Sequence, residues 1–429
     1  MNNLSEMALH EAVRVLRSPA TIRERCAAIA AAAGDGRSAH FTLERSRLAD
    51  VARRVASLTR ERFPDLKIPY HSRWRHFEAG GVDRKAELEA KLVGRSLAAV
   101  ARSHVDLALV SVLLDAGAGP TWSYHEKHSG QTFDRSEGLA VASFRAFLAG
   151  RFSSDIGDPC RVDAAALLKL DAAALAQVFQ VSDSNPLVGL DGRAALMRRL
   201  GIALRDQPEL FTSTGQPGHL FDSLTYHPHA PRLRHHRPTP SAQRHHHVSA
   251  ARILGALLDA FSAIWPSGRA LQDVPLGDVW PHPHAGGNGA AVGLVPFHKL
   301  SQWLTYSLIE PFDRGGVQVT ELDELTALPE YRNGGLLLDA GVIVPRDTAF
   351  AERSYTPADE WVIEWRALTV ALLDELAPLV RGELGVSPEQ LPLACMLEGG
   401  TWAAGRQIAA QQRPGGAPPV RIESDGTVF

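Results

Sequence analysis

The sequence predicts a mainly α protein, with a large helical body and few short strands. Apolar residues recur at helical spacing in most segments, capping residues precede several of these segments, and clean strand alternation is scarce. The chain has 429 residues, which is enough for two ordinary domains or one large domain. We therefore expect a large helical fold with a sizeable buried core.

The helices of the first half follow from apolar faces and capping residues. One helical face between arginines carries four apolar residues: Leu48, Val51, Val55 and Leu58. Asp83 is placed to cap a long helix that could continue to Leu114, before the glycines at 117 and 119. Further helices are predicted at 139–148, 164–179 and 193–204.

The second half shows the same signals. Ser249 is placed to cap a helix over 253–264, and Pro296 to begin one that continues to Leu308. Asp359, shortly after Thr356 and Pro357, predicts the start of a helix that extends through 379. The best strand candidates are 342–344 and 420–428.

Charge and composition limit the class of partner. The formal net charge of −3 excludes a generally basic surface that coats nucleic acid, although a local basic pocket remains compatible with it. No apolar run reaches the roughly 18–20 residues of a membrane-spanning helix. The three cysteines are widely spaced and the first 17 residues lack the apolar centre of a signal peptide. We expect a soluble cytoplasmic protein that binds neither nucleic acid nor membranes.

One composition break, at 212–247, divides the chain into an N-terminal helical lobe, 1–211, and a C-terminal helical lobe, 248–429. We expect the two lobes to form one continuous structural unit, and we place the catalytic residues in the second. The break contains eight histidines between His219 and His247, which could bind zinc or nickel. Their spacing is irregular and no carboxylate or cysteine is interleaved, so a loop without a metal is favoured. Oligomeric state is left open.

Two loops of the first lobe combine aromatic and ionisable residues. In the first, Arg73 and His76 lie among two aromatic residues and an acid, before two glycines. This pattern suits an anionic ligand that carries a ring, and a surface turn is an equal alternative. In the second, Trp122 precedes His125 and Glu126. The alternative there is a buried tryptophan that anchors the turn.

Two segments of the second lobe carry further candidates. Lys299 lies in an otherwise apolar helical segment, and Glu330, Tyr331 and Arg332 follow about 31 residues later. A lysine in such a segment often extends its amine to solvent, and a neighbouring Glu and Arg can be an exposed pair of little energetic value. They could equally be an acid–base carboxylate with an anion clamp. The segment 398–429, with several arginines, is expected to fold back over a site.

Seven segments together resemble the uracil-catabolism (Urc/Urg) proteins of fungi and bacteria. These segments are 70–81, 119–126, 185–193, 276–283, 294–311, 325–341 and 413–429. The resemblance covers nearly the whole chain apart from the His-rich break. It implies a role in a pathway that converts uracil to UMP, opens the ring and releases urea through ribosylurea-type intermediates.

A more distant resemblance is to the queuosine 5′-phosphate salvage hydrolases, which are all-α N-ribosyl hydrolases with a helical core akin to DNA glycosylases. Asp115 and Trp122 have the spacing of an Asp and a Trp in that family. A phosphate-side helix of that family matches at Phe297, Lys299 and Gln302. A later motif matches at Leu325, Thr326, Tyr331 and Arg332, with Glu330 where that family has Asp. The resemblance implies a DNA-glycosylase-like helical core.

These resemblances imply an N-ribosyl hydrolase that releases urea and ribose 5-phosphate from a ribosylurea-type 5′-phosphate, with no cofactor. Glu330 would stabilise an oxocarbenium-like cation or activate water, and a general acid would protonate the leaving urea. The candidates for the acid are His76, His125 and Glu126. The substrate-binding candidates are Lys299 and Arg332 for the phosphate, Trp122 as an apolar wall, and Tyr331, Arg73, Arg406 and Arg413.

Two other classes of function stay open. A metal-dependent amidohydrolase would attack the ureido carbonyl and not C1′. A non-catalytic partner in the same pathway would bind a ligand without turnover, and its pocket would look similar in sequence.

Overall fold

The computed structural model describes residues 5–225, 246–265 and 269–423. Its α-helices, in chain order, are α1 Glu6–Leu16, α2 Pro19–Gly34, α3 Leu48–Arg62, α4 Arg73–His76, α5 Arg84–Leu92, α6 Leu97–Leu113, α7 Arg135–Leu148, α8 Ala164–Lys169, α9 Ala172–Val178, α10 Leu190–Arg205, α11 Pro208–Phe211, α12 His219–Thr225, α13 Ala250–Phe261, α14 Lys299–Arg314, α15 Tyr331–Asp339, α16 Glu360–Leu384, α17 Leu393–Met396 and α18 Trp402–Gln412. A π-helical turn, Leu397–Thr401, lies between α17 and α18.

The strands of the described residues are two to four residues long and form two-stranded sheets. They are β1 Phe41–Leu43, β2 Ser123–Glu126, β3 Gln131–Asp134, β4 His247–Ser249, β5 Arg269–Leu271, β6 Val274–Gly277, β7 Val279–Pro281, β8 Leu294–Pro296, β9 Gln318–Thr320, β10 Ile343–Pro345, β11 Ser354–Tyr355 and β12 Arg421–Ile422. The pairs β1–β10, β2–β3, β5–β6 and β7–β8 are antiparallel, whereas β4–β9 and β11–β12 are parallel. The predicted mainly α class is therefore confirmed, and the likeness of the core to DNA glycosylases stays a prediction.

The chain forms two compact units from separated segments. The first unit combines Met1–His71, Trp265–Trp303 and Leu322–Phe429, and the second combines Ser72–Ile264 and Leu304–Glu321. These units differ from the predicted lobes 1–211 and 248–429, because the first 71 residues share a unit with the C-terminal segments. Composition marks breaks along the chain, but it carries no signal that the first 71 residues share a unit with segments far away in sequence.

The core of the first unit is built around α16. This helix of 25 residues begins after Asp359, as predicted, and ends at Leu384, where the following Gly385 has a positive φ of 73° that suits glycine. Sixteen of its residues are buried, which is why it shows little amphipathic pattern. One core cluster packs α2 against α16 and the β7–β8 hairpin, and its members include Ile22, Ile29, Val295, Phe297, Ile363 and Val370. The segment that leads into α14 is thus anchored to the core.

In the second unit, α6 is the most buried helix and two predicted long helices are interrupted. Asp83 caps α5 as predicted, accepting a hydrogen bond from the Ala86 amide. That helix stops at Leu92, because Gly94 has φ of 85° and Ser96 caps a new helix, α6. The predicted helix 164–179 is likewise two helices, with Asp171 capping the second. Apolar periodicity continues through both interruptions and therefore conceals them.

The predicted His-rich loop is partly a helix. Its segment 219–225 forms α12, because Leu220, Phe221 and Leu224 are buried. His247 belongs to β4. The histidines at 227, 229, 235, 236 and 245 lie outside the described residues. Among the helices of the described ranges, none combines the length and the apolar character needed to cross a bilayer.

Candidate functional site

The carboxylate of Glu330 sits at the N-terminus of α15, in the first unit. Its backbone is extended, with φ −114° and ψ 165°, and its side chain accepts hydrogen bonds from two helix amides. The Arg332 amide donates to Oε2 at 2.7 Å and the Asn333 amide donates to Oε1 at 2.6 Å. The helix N-terminus stabilises negative charge, so the sequence Glu-Tyr-Arg-Asn fixes both the position and the orientation of this carboxylate.

The helix after Glu330 can approach α16 closely because of its glycines. A Cβ atom on Gly334 would lie 2.7 Å from the indole of Trp365. Because glycine has no Cβ atom, Trp365 can come close enough for its Nε1–H to donate to the Gly334 carbonyl oxygen at 3.1 Å. The Asn-Gly-Gly sequence is therefore explained by packing, and it holds the start of α15 against the core.

The electrostatic environment makes Glu330 a better base than an exposed glutamate. Burial raises the pKa of Glu330, while the two backbone amides and the charges of Lys299 and His71 act in the opposite direction. The net shift of the pKa is upward. A carboxylate with a raised pKa accepts a proton more readily near neutral pH, as general-base catalysis requires.

A histidine–carboxylate pair lies beside Glu330 in the same unit. His71 is 7% exposed, and its Nδ1 is 2.9 Å from Oε2 of Glu398. The backbone of His71 is also fixed, since its amide donates to the Ala394 carbonyl at 2.9 Å. Arg62 approaches Glu398 from α3, with 3.4 Å between Nη2 and Oε1. His71 is therefore held by both its main chain and its ring.

Glu398 belongs to the π-helical turn 397–401, and this turn depends on its neighbouring glycines. A Cβ on Gly400 would lie 2.5 Å from Cγ1 of Val55, so only glycine allows the turn to press against α3. Irregular π-helical turns of this kind are frequent at functional sites. The turn also directs the start of α18 toward His71: the rings of His71 and Trp402 have centroids 6.2 Å apart.

Two cations lie near these residues: Lys299 acts on Glu330, and Arg406 lies against Trp402. Lys299 is partly buried at the first position of α14, and its charge acts on the pKa of Glu330. Its backbone amide donates to Oδ2 of Asp278 at 3.1 Å, which fixes the start of the helix. Arg406 is exposed, with Cζ 5.0 Å from the ring centroid of Trp402. The described geometry therefore combines a carboxylate, a histidine, an aromatic face and cations.

The other residues predicted for this unit have internal partners. Arg332 is 5% exposed, donates to the Gly416 carbonyl at 3.0 Å and stacks on Tyr331 with 4.9 Å from Cζ to the ring centroid. Arg413 donates to Oδ1 of Asp339 at 2.8 Å and to the Ala417 carbonyl at 2.7 Å. These bonds tie the C-terminal segment to α15, and they do not support Arg413 or the Arg332 guanidinium as a phosphate clamp.

The remaining predicted residues belong to the second unit, and two of them are core residues. Arg73 has a fully buried side chain, with 3.0 Å between Nη1 and Oδ2 of Asp115 and 2.7 Å between Nε and Oγ of Ser111. Trp122 is 1% exposed and donates from Nε1 to the Phe179 carbonyl at 2.9 Å. Neither placement supports a ligand contact; Trp122 matches the alternative of a buried anchor for the turn.

A conservative change at Trp122 tests this structural assignment. Trp122→Phe keeps an aromatic ring but leaves the buried Phe179 carbonyl without its donor, which should destabilise the fold by about 1–3 kcal/mol. The measurement is chemical denaturation of the purified variant. Activity per folded molecule should stay at the wild-type level; a large rise in KM at unchanged stability would instead restore the role of an apolar substrate wall.

Glu126 is a structural ion-pair residue and not a proton donor at neutral pH. Its fully buried side chain accepts bonds from Arg84, Arg145 and Ser129. Burial alone would raise the pKa of Glu126, but these hydrogen bonds lower it to about 2. A group with that pKa carries no proton to donate, so we do not retain it as a general acid. His125 is exposed on β2, and His76 ends α4.

His71 and Glu398 are absent from the residues singled out by sequence. His71 is the second residue of the segment 70–81 and Glu398 begins the segment 398–429, but 327 positions separate them. No local spacing can reveal a pair at that separation. Across the described ranges no group of three or more His, Cys, Asp or Glu side chains is arranged to hold a metal ion.

Comparison with known proteins shows sequence similarity to a family and to two relatives over most of the chain, in both units. The sequence matches the family described as "Protein of unknown function (DUF1688)" over residues 15–429. It is 40% identical over 423 residues to Uracil catabolism protein 4 of Lachancea kluyveri. The alignment covers 92% of this chain and 93% of that protein. It is 38% identical over 397 residues to Protein urg3 of Schizosaccharomyces pombe. The alignment covers 91% of this chain and 92% of that protein.

Proposed function

The chain belongs to the DUF1688 family, as a relative of the Urc/Urg proteins, and on this premise we propose that it acts in uracil catabolism as an N-ribosyl hydrolase. The substrate is a ribosylurea-type 5′-phosphate, and the products are urea and ribose 5-phosphate. The observation that carries this proposal is the Glu330 carboxylate, held by two helix amides and given a raised pKa beside Lys299 and His71.

Cleavage of a glycosidic C–N bond is favoured by a fixed carboxylate with a raised pKa. The reaction passes through an oxocarbenium-like state in which positive charge develops at C1′ and the ring oxygen. A fixed carboxylate near C1′ stabilises that charge, and one with a raised pKa can also take the proton of the attacking water. Glu330 stands where the queuosine 5′-phosphate hydrolases, which this chain resembles, have an aspartate.

The neighbouring side chains supply binding. Lys299 is the cation assigned to the 5′-phosphate, because its charge reaches Glu330 and its helix start is fixed by Asp278. Phosphate binding far from the reacting bond can align C1′ with the carboxylate. The half-buried Trp402 ring, with Arg406 against it, offers a face for the planar ureido group.

Synthetic ribosylurea 5-phosphate tests the proposal directly. Purified, folded protein should release urea and ribose 5-phosphate in equal amounts, measured with urease and with a reducing-sugar assay. A matched substrate that lacks the phosphate should show a higher KM and a lower kcat, because remote binding energy is lost. Since Glu330 must be ionised, kcat/KM should fall as pH is lowered through its raised pKa, above the range of an exposed glutamate.

Each other outcome points to a different function. Ammonia without urea, with activity lost to chelators, would identify attack on the ureido carbonyl by a metal-dependent amidohydrolase. Binding of the substrate by calorimetry with no product would identify a non-catalytic partner. In both cases the hydrolase proposal fails.

A further inference from the structure

We infer that His71 is the general acid that protonates the leaving urea, and that Glu398 is its positioning residue. This inference rests on the proposed function and deepens it, because it assigns the second half of the acid–base chemistry. The three acids expected from sequence all lie in the second unit, whereas His71 lies in the same unit as Glu330. The charges of the two groups are close enough to act on each other.

The hydrogen bond to Glu398 determines which nitrogen of His71 can transfer a proton. An ionised carboxylate only accepts hydrogen bonds, so the Nδ1–H of His71 donates to Oε2 of Glu398 over 2.9 Å. When the ring is in its doubly protonated imidazolium form, the proton available for transfer is the one on Nε2, and its loss leaves a neutral ring that still donates from Nδ1 to Glu398. The main-chain bond to Ala394 and the contact with Trp402 fix the ring around this arrangement.

The charged groups that face His71 come from three elements. Glu398 of the π-helical turn contacts the ring directly, and Arg62 of α3 lies on the other side of Glu398. Glu330 lies at the start of α15, and the charges of His71 and Lys299 both act on its pKa. A histidine that is hydrogen-bonded to one carboxylate and interacts through its charge with a second is suited to hold and release one proton.

The reaction step balances with these two groups. The C1′–N bond breaks and its electron pair moves to the urea nitrogen, which receives the Nε2 proton of His71. The oxygen of water bonds to C1′, and the carboxylate of Glu330 takes the proton that this water loses. The products are urea and ribose 5-phosphate, and transfer of the proton from Glu330 to His71 restores the starting state.

This role is necessary because the urea anion is a poor leaving group. A leaving group that departs as a stable anion does not need an acid, and this difference separates a general acid from a structural residue. His71→Asn keeps an amide near the position of Nδ1 that can still donate to Glu398, and it removes Nε2. The variant should therefore fold while lacking the transferable proton.

The experiment compares two substrates for wild type and His71→Asn. With ribosylurea 5-phosphate, kcat/KM should fall by about 10²–10⁴-fold, the usual contribution of a general acid. With 4-nitrophenyl riboside 5-phosphate, whose nitrophenolate leaves without a proton, the variant should stay close to wild type. The alkaline limb of the pH profile for urea release should also disappear in the variant.

Two further variants complete the test. Glu398→Gln should lower urea release less than His71→Asn and should also spare the nitrophenyl substrate, as expected of a positioning residue. His40→Asn is the matched control, because His40 also pairs with a glutamate in the first unit, Glu360 at 3.3 Å, and has no assigned role. It should leave both substrates unaffected.

The outcomes separate this inference from the proposed function. If wild type releases no urea, the proposed function fails and this inference fails with it. If wild type is active and His71→Asn loses both substrates equally, or neither, the hydrolase stands and His71 is not its general acid.

Discussion

Glu330→Gln should lower kcat/KM for urea release by about 10²–10⁴-fold, the largest effect on activity that we expect from one substitution. Glutamine is nearly isosteric, but it carries no negative charge for the oxocarbenium-like state and cannot accept the proton of water. The limb of the pH profile that reflects the raised pKa of Glu330 should vanish with it. The measurement is steady-state urea release across pH, alongside the thermal unfolding midpoint.

Glu330 also caps α15, so the loss of activity must be separated from the loss of a cap. Glu330→Ser retains a preferred capping oxygen and removes the carboxylate. This variant should keep near wild-type stability and lose activity as Glu330→Gln does. If it retained activity, capping would be the whole role of Glu330.

Glu330→Asp provides the complementary control. It keeps both the charge and the cap, but it withdraws the carboxylate by about one methylene. Aspartate is also the residue at the matching position of the queuosine 5′-phosphate hydrolases. We expect partial activity with a retained acidic limb, which glutamine and serine cannot give.

Local signals explain the parts of the fold that the sequence predicts well. Asp83 and Ser249 cap the helices they precede, because a capping oxygen needs only the amides two or three residues ahead. The interruptions at Gly94 and Asp171 are missed, since the apolar pattern on either side is compatible with a continuous helix. The discontinuous units are also missed, because they depend on contacts between distant segments.

For the candidate site, too, some residues can be predicted from the sequence and others cannot. Motif order and spacing predict Glu330 and Lys299 as site residues, and in the structure the charge of Lys299 acts on the pKa of Glu330. Arg73 and Trp122 look like ligand-binding residues in sequence, but their polar atoms bind Asp115 and the Phe179 carbonyl inside the second unit. Composition cannot distinguish a cation that binds a ligand from one that binds a buried acid.

Arg366→Met should destabilise the first unit by about 3–5 kcal/mol, because it leaves Asp278, whose side chain is only 12% exposed, without its cation. Arg366 is 1% exposed and donates to Oδ1 of Asp278 at 2.9 Å and to Oδ2 at 2.7 Å. The control is Arg45→Met, since Arg45 makes a comparable bidentate pair with Glu375 at the surface and should cost less than about 1 kcal/mol. Chemical denaturation at pH 7 gives both free energies of unfolding.

The pH dependence of stability identifies Asp278 as the group responsible. Burial alone would raise its pKa, but the charge and hydrogen bonds of Arg366, with bonds from Trp280 and the Lys299 amide, lower it to about 2. A folded-state pKa below the unfolded value means that this stabilisation is present above about pH 4 and is lost as pH falls toward 2. Arg366→Met should therefore flatten the dependence of stability on pH in that window.

The same pair connects stability to the proposed chemistry, because Asp278 also fixes the first residue of the helix that carries Lys299. Asp278→Asn keeps the size of the side chain but places an amide against the Arg366 guanidinium, so we expect a loss of stability similar to that in Arg366→Met. In the molecules that remain folded, KM should rise for the phosphorylated substrate and stay constant for its unphosphorylated analogue. Equal increases for both would show that Lys299 does not bind the phosphate and that Asp278 serves the core alone.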